Sequence, residues 1–187
     1  MAPWRNCSLC RTNCPDCPSA QPSVPGLWER RPKIKEKNMT PAQRPNTIIA
    51  SEEGELLNIL GAPMAVRLAD PAASLFVARH TTPPGFMVPP HKHEDDDEAF
   101  YILEGTLTLL GADGETTATA GDFAFLPCGS VHGFRNDTKS DVEFLVICTP
   151  GVQSAEMFRQ LDRVANGAPL SPETTAAVTS QYGVEFC

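Results

Sequence analysis

Residues 85–105 read GFMVPPHKHEDDDEAFYILEG, and this stretch decides the fold. Within it, His91 and His93 are two residues apart. On a β-strand that spacing places both imidazoles on one face, about 6.6 Å apart along the chain. On a helix the two rings would lie about 200° apart. Because imidazole nitrogens that share an ion must converge to about 2.0–2.1 Å from it, the pattern favours a strand that carries a metal site.

Two further residues complete a candidate ligand set. Glu98 follows His93 by five residues, which leaves room for a turn before a second strand, and His132 comes 34 residues later from another strand. Three imidazoles and one carboxylate suit Fe, Mn, Ni, Co, Cu or Zn as divalent ions, and they leave one or two positions for water, substrate or O2. The sequence therefore predicts one divalent transition-metal ion held by His91, His93, Glu98 and His132.

The chain around these residues consists of short β-branched and aromatic segments separated by glycine-containing turns. The predicted strands are Ala65–Leu68, Ser74–His80, Phe86–His93, Ala99–Leu103, Thr106–Leu110, Glu115–Ala120, Asp122–Leu126, Gly133–Asn136 and Val142–Thr149. Short strands at this spacing predict a closed or two-sheet all-β architecture.

Two helices are predicted after the strands. The first spans Ser154–Ala165 and ends at Asn166-Gly167; its apolar stripe is formed by Met157, Phe158, Leu161 and Val164. The second begins at Ser171-Pro172 and ends at Gly183. We expect both helices to pack outside the β body with a purely structural role.

Ten residues around the ligands form two motifs. They are Gly85-x5-His91-x-His93-x4-Glu98-x6-Gly105 and Gly121-x5-Pro127-x-Gly129-x2-His132-x3-Asn136, with fifteen residues between them. These motifs resemble the two signature motifs of the cupins at all ten fixed positions. The resemblance covers about residues 47–150. It implies a double-stranded β-helix, or jelly-roll barrel, with C-terminal helices on residues 151–187 and the metal inside the barrel.

Within that family the sequence is similar to the single-domain, quercetinase-like members. The similarity lies around His91-Lys92-His93, in Gly121-Asp122-Phe123, around Met157-Phe158 and in the ending Tyr182–Phe186. It implies a metal-dependent dioxygenase that acts with O2 on a flavonol-like or other enol or diketone molecule, with Glu98 as ligand and catalytic base. It also implies a homodimer, because barrels of this family commonly pair through their sheet edges.

Strand parity predicts a substrate pocket beside the ligands. Its members each share a face with a ligand: Met87, Phe100, Ile102 and Phe134. These side chains are apolar and partly aromatic, so they favour a flat, apolar substrate with an oxygen donor for the metal. The alternative is that they only fill the barrel. His80 is interpreted as a surface or supporting residue, and Glu94–Asp97 as a solvated turn.

Two other functions stay open at this point. A sugar isomerase needs a polar pocket, often with Lys or Arg, yet residues 39–187 contain only eight Lys and Arg. A non-catalytic, small-molecule-binding protein is harder to separate from an enzyme, although the sequence has no helical pattern for an added DNA-binding unit.

Residues 1–38 differ in composition from the rest. They carry seven Lys and Arg against three Asp and Glu, six prolines and four of the seven cysteines. We expect a disordered, basic tail with a boundary near Asn38–Met39, where Met39 itself could be the translation start. The pairs Cys7-x2-Cys10 and Cys14-x2-Cys17 are separated by a spacer shorter than that of zinc ribbons, which favours reduced thiols over a zinc site.

Charge and hydropathy bear on partners and location. The net charge of −8 argues against binding nucleic acid. No apolar run approaches the roughly 18–20 residues of a membrane span, and Met1–Cys10 lacks the apolar core of a signal peptide. We therefore expect a cytoplasmic protein whose partner is a small molecule.

Overall fold

Burial alternates along the strands, so the chain folds into two sheets that face each other across an apolar core. In the strands Leu75–Thr82 and Val142–Thr149 every second residue is buried. The computed structural model describes residues 45–165 and 170–187, and Thr47–Cys187 forms one compact unit. The predicted tail 1–38 and its cysteines, and the helix stop at Asn166-Gly167, lie outside the described residues.

The first sheet has six antiparallel strands in the order β1-β2-β3-β10-β5-β8. These strands are β1 (Glu55–Ile59), β2 (Ala62–Asp70), β3 (Leu75–Thr82), β5 (Asp97–Glu104), β8 (Phe123–Leu126) and β10 (Val142–Thr149).

The second sheet has five antiparallel strands in the order β11-β4-β9-β6-β7. They are β4 (Met87–His93), β6 (Thr106–Gly111), β7 (Gly114–Thr119), β9 (His132–Arg135) and β11 (Val184–Phe186). The predicted all-β, two-sheet jelly roll is confirmed.

Two helices follow the strands: α1 (Ser154–Ala165) and α2 (Pro172–Thr179), the latter continued by a 3-10 turn at Ser180–Tyr182. Ser171 caps α2, since its side chain accepts a hydrogen bond from the Thr174 backbone N–H. No helical segment within 45–165 and 170–187 has the length and apolar character that crossing a membrane requires.

The predicted bounds of β10 and α1 agree with the structure, but the apolar stripe of α1 differs at one position. Val164 is 43% exposed, whereas Ala165 is buried with Met157 and Leu161. Ala165 lies four residues after Leu161 and therefore shares its face. Two strands were not predicted, β1 and β11. Both are short, and β11 has only three residues, so neither carries a clear alternating pattern.

Candidate metal centre

The four predicted ligands converge in the structure. His91 and His93 lie on β4, Glu98 on β5 and His132 on β9, and all four side chains are buried. One potential ligand atom from each lies within 4.8 Å of every other. Because His91 and His132 are partners in the β4–β9 register, their rings approach to a centroid distance of 4.5 Å. Register, rather than proximity in sequence, therefore assembles the cluster.

Backbone carbonyls fix the tautomers of two of the imidazoles. His91 Nδ1 lies 2.9 Å from the Pro89 carbonyl oxygen, and His132 Nδ1 lies 3.0 Å from that of Ser130. A carbonyl can only accept, so each Nδ1 carries the proton and donates it. Each ring then directs Nε2 at the cluster, which is the arrangement that a metal-ligating histidine needs.

The carboxylate of Glu98 uses its two oxygens differently. Oε2 lies 3.1 Å from His132 Nε2 and 3.9 Å from His93 Nε2. Oε1 accepts the thiol hydrogen of Cys148 at 3.8 Å, across the β5–β10 pairing. Burial alone would raise the pKa of Glu98, but the hydrogen bond from His132 and the neighbouring imidazoles outweigh it and hold the pKa below its usual value. Glu98 is therefore a carboxylate at neutral pH.

Electrostatics keep the histidines available as ligands. Burial lowers the pKa of His91 to about 4 and also lowers that of His93. Neutral imidazole is the form that binds metals, so both rings are ready to do so near pH 7. Among the described residues, His93 Nε2 is the one fully enclosed side-chain nitrogen or oxygen without a hydrogen-bond partner. A buried lone pair directed at a carboxylate and two imidazoles fits a cation that all four share.

A close approach of strands supports this cluster. A Cβ added at Gly133, the neighbour of His132, would lie 2.7 Å from the Val88 carbonyl oxygen and 2.9 Å from the Pro89 carbonyl carbon. Only glycine allows β9 this close to β4.

Three of the ligands, His91, His93 and Glu98, border a cavity of about 80 Å³. Its other lining residues are mostly apolar and come from both sheets and from the C-terminal segment. Phe100, Phe134 and Val146 contribute from the barrel, and no Lys or Arg of the described ranges is among them.

Comparison with known proteins gives the same family for sequence and structure. Residues 78–148 match the model of the Cupin domain. A predicted oxalate decarboxylase from Thermotoga maritima, known from its crystal structure, is 30% identical; the alignment covers 55% of this chain and 98% of that one, with a TM-score of 0.50.

The chain belongs to the cupins.

Two curated relatives differ in what their names state. An oxalate-binding protein of Thermotoga maritima is 39% identical over 75 residues, which are 40% of this cupin and 61% of the relative. Quercetin 2,3-dioxygenase of Bacillus subtilis is 38% identical over 56 residues, 30% of this cupin and 17% of the relative. This cupin thus spans less than two thirds of the length of either relative.

The pocket residues predicted from parity divide into three groups. Phe100 and Phe134 line the cavity. Ile102 is fully buried in the core and does not border the cavity, so it fills the barrel. Met87 is 52% exposed, and Val88 lines the cavity in its place.

The prediction for Met87 is wrong because β4 has an irregularity. The β4–β9 register shifts between Val88 and His91, at Pro89-Pro90. An extra residue in a strand reverses which side chains point inward on one side of it. Counting every second residue from His91 therefore selects the wrong side chains before Pro89. The sequence signal for this irregularity was Pro89-Pro90, because proline has no N–H to donate to a neighbouring strand.

The C-terminal segment has a larger part than predicted. Met157, Phe158 and Leu161 from α1 and Thr175 and Thr179 from α2 all line the cavity. Both helices were expected to pack outside the β body with a purely structural role, and five of their side chains also border the cavity. The first of them, α1, is strongly amphipathic and turns its apolar face, with Met157 and Leu161, toward the cavity.

The unpredicted strand β11 completes this side of the cavity. Val184 pairs with His93 and Phe186 with His91, so both share the inner face with the ligands and line the cavity. Between them Glu185 points outward and forms an ion pair with Lys92 at 2.7 Å.

Two other interpretations change. His80 is 2% exposed and borders the cavity, so it is not a surface residue. The turn Glu94–Asp97 is only partly a solvated turn. Asp96 accepts hydrogen bonds from the Gly151 N–H and the Ser154 hydroxyl, both at 2.9 Å, and so anchors the start of α1. Asp97 accepts the Cys128 N–H at 2.8 Å, which joins the loops of the two motifs.

Proposed function

We propose that this cupin binds one divalent transition-metal ion through His91, His93, Glu98 and His132 and is a dioxygenase of a small enol or 1,3-diketone. The observation that carries the proposal is the buried cluster of three imidazoles and one carboxylate beside an apolar cavity. Fe, Mn, Ni, Co, Cu and Zn all accept such ligands. When bound, the ion supplies a Lewis acid and open positions for a substrate oxygen and O2.

The cavity supports an apolar and small substrate. Its aromatic and aliphatic walls suit a flat carbon skeleton, and among the described lining residues the only polar side chains besides the ligands are His80, Thr175 and Thr179. Sites for drug-sized ligands have volumes of about 300–1,000 Å³. A cavity of about 80 Å³ therefore favours a molecule of diketone size over a whole flavonol, which would enter only if the C-terminal helices moved.

Glu98 is the residue to which we assign the proton transfer. Of the lining residues that the structure describes, it is the one carboxylate, and its lowered pKa keeps it ionised. It would accept the hydroxyl proton of the enol and leave the substrate as an enolate. Cys148 holds Oε1 while Oε2 faces the imidazoles, so the carboxylate keeps one orientation during this step.

The oxygen chemistry is supported by the relative named quercetin 2,3-dioxygenase. Cleavage of a 1,3-diketone by O2 breaks one C–C bond and gives a carboxylic acid and a 1,2-dicarbonyl compound. Both oxygen atoms are retained in these products. The walls of the cavity exclude bulk water, which protects an enolate from reprotonation.

O2 consumption tests the proposal. Protein loaded in turn with each candidate metal is incubated with acetylacetone and with a flavonol, and an oxygen electrode follows the reaction. We expect O2 uptake with acetylacetone. In Glu98→Gln the rate of uptake should fall by at least about 100-fold because the base is removed. The control is Glu104→Gln, an exposed glutamate of the same strand. No uptake with any metal contradicts the dioxygenase.

A non-catalytic ligand-binding role is the second candidate, supported by the relative named oxalate-binding protein. A dianion in an apolar cavity without Lys or Arg among its described lining residues would have only the metal as its counter-charge. Calorimetric binding of oxalate to the metal-loaded protein, together with no O2 uptake, would favour this role. The same lack of cationic residues disfavours a sugar isomerase.

We also propose a homodimer. Strand β8 forms an edge of its sheet, and its side chains Phe123 and Phe125 are 60% and 58% exposed beside Tyr101 of β5. An uncovered apolar edge favours pairing with a second copy. Sedimentation at micromolar concentration should give twice the mass of the chain, and a monomer would contradict the proposal.

A further inference from the structure

His80 lies in the cavity wall although none of the predicted chemistry uses it. Its side chain is 2% exposed, at the inner face of β3. The rings of Phe86, Phe134 and Phe144 surround it edge-on at centroid distances of 5.5–6.4 Å. A polar ring in such a position is rare unless its nitrogens have partners.

One nitrogen of His80 has such a partner. Nδ1 lies 3.0 Å from the carbonyl oxygen of Pro63. Since that oxygen only accepts, Nδ1 carries the proton. Burial lowers the pKa of His80 to about 4, so the ring is neutral near pH 7 and Nε2 is an acceptor with no proton.

The other nitrogen has no partner among the described residues. Nε2 of His80 makes no hydrogen bond to a described residue. It is also not fully enclosed, because among the described residues His93 Nε2 is the one fully enclosed side-chain nitrogen or oxygen without a partner. His80 Nε2 therefore keeps contact with open space, and His80 borders the cavity. A buried acceptor that faces a cavity is satisfied by a donor that enters it.

We propose that His80 Nε2 accepts a hydrogen bond from a hydroxyl or N–H group of the ligand, so that the ligand carries a donor in addition to its metal-binding oxygens. This inference rests on the proposed metal site and narrows the substrate class. A purely apolar diketone leaves His80 Nε2 without a hydrogen bond, whereas a hydroxylated enol-one can bind both the metal and His80. His80 is thus a positioning residue for the ligand.

Two probes differ in this donor alone. Kojic acid and allomaltol are small, flat hydroxypyranones with the same metal-binding oxygen pair, and kojic acid has a distal hydroxymethyl group where allomaltol has a methyl. Zinc is redox-inert, so the zinc-loaded protein binds both probes without turnover. Calorimetry then gives two dissociation constants at equilibrium.

Two substitutions separate binding from structure. His80→Asn keeps an N–H at the position of Nδ1 for Pro63 but removes the acceptor at Nε2. His80→Gln places an amide oxygen near Nε2 and gives up the Pro63 bond. If His80 were only structural, His80→Asn would resemble the wild type and His80→Gln would differ from it.

The proposal predicts that the wild type prefers kojic acid by roughly fivefold, the typical net gain from one hydrogen bond. His80→Gln should keep this preference, and His80→Asn should bind both probes equally. Equal binding by the wild type, a preference that survives in His80→Asn, or no binding of either probe overturns the proposal. Preference without O2 uptake would defeat only the dioxygenase, and uptake without preference would defeat only the role of His80.

Discussion

Two groups of residues with different chemistry surround the cavity, here called its floor and its roof. The floor consists of His91, His93, Glu98 and His132, which come from three strands and are tied by backbone hydrogen bonds and register. The roof consists of α1, α2 and β11, which contribute mainly apolar side chains. A floor of directional bonds tolerates little displacement, whereas an apolar roof can change shape while it still excludes water. The difference predicts that substitutions in the roof alter stability and substrate size, and substitutions in the floor alter metal binding.

The largest expected effect on stability lies in the roof. Leu161 is 4% exposed and borders the cavity, so Leu161→Ala removes buried methyl groups and enlarges the void. We expect the free energy of unfolding to fall by about 2–4 kcal/mol while the metal content stays unchanged. Urea denaturation and elemental analysis measure the two quantities.

The matched control for the roof is Val164→Ala, on the same helix but 43% exposed, which should change the unfolding free energy by less than about 0.5 kcal/mol. Loss of metal in Leu161→Ala would show that metal binding in the floor depends on packing in the roof.

A substitution in the floor should have the complementary result. Gly133→Ala places a Cβ against the backbone of Val88 and Pro89, which cannot rotate away. Forcing β9 from β4 should cost about 1–3 kcal/mol and lower metal affinity at least tenfold, because it displaces His132 from His91. Competition with a chelator measures the affinity. Gly111→Ala, whose added Cβ would lie 3.5 Å from the Gly114 carbonyl oxygen, should keep the metal affinity.

The floor was predicted from sequence, whereas the helices of the roof were predicted without their place at the cavity and β11 was not predicted. Glycines, prolines and ligands at fixed spacing identify His91 and its partners, since each position has a geometric reason. The bulge at Pro89-Pro90 places Val88 rather than Met87 in the cavity wall, which counting every second residue cannot anticipate. The roof has no motif: a helix of ordinary amphipathic pattern closes a cavity as readily as it covers a sheet. The cytoplasmic location and the tail 1–38 stay predictions.

Acid should weaken the metal-free protein through its buried histidines. The pKa of His80 is about 4 when folded, against about 6.5 when unfolded. Between these values the unfolded chain binds more protons, so stability is full above about pH 6.5 and falls as the pH drops toward 4, by on the order of 3 kcal/mol for His80.

Denaturant unfolding at several pH values tests this sign. His80→Asn should reduce the slope of the unfolding free energy between pH 4.5 and 6.5 by up to about one proton, while His91 continues to contribute in the same direction. A slope unchanged by the substitution would mean that His80 does not titrate as its burial implies.

The smallest expected effect concerns the ion pair between roof and barrel. Arg159 of α1 donates to both carboxylate oxygens of Glu55 on β1, with Nε 2.9 Å from each. Both side chains are more than a third exposed, so Arg159→Gln should cost only about 0.2–1 kcal/mol, and less at high salt. Arg163→Gln, which breaks a pair within α1, is the control. A cost above about 2 kcal/mol would indicate that the roof depends on this contact.

Metal content per chain tests the central claim most directly. The wild type, His132→Ala and His80→Asn are purified alike, saturated with one candidate metal, desalted and measured by elemental analysis. We expect about one ion per chain in the wild type and in His80→Asn. His132→Ala should hold less than about a tenth of an ion per chain, because it lacks one of the four ligands. Full occupancy in His132→Ala, or equal loss in both variants, would contradict the four-residue site.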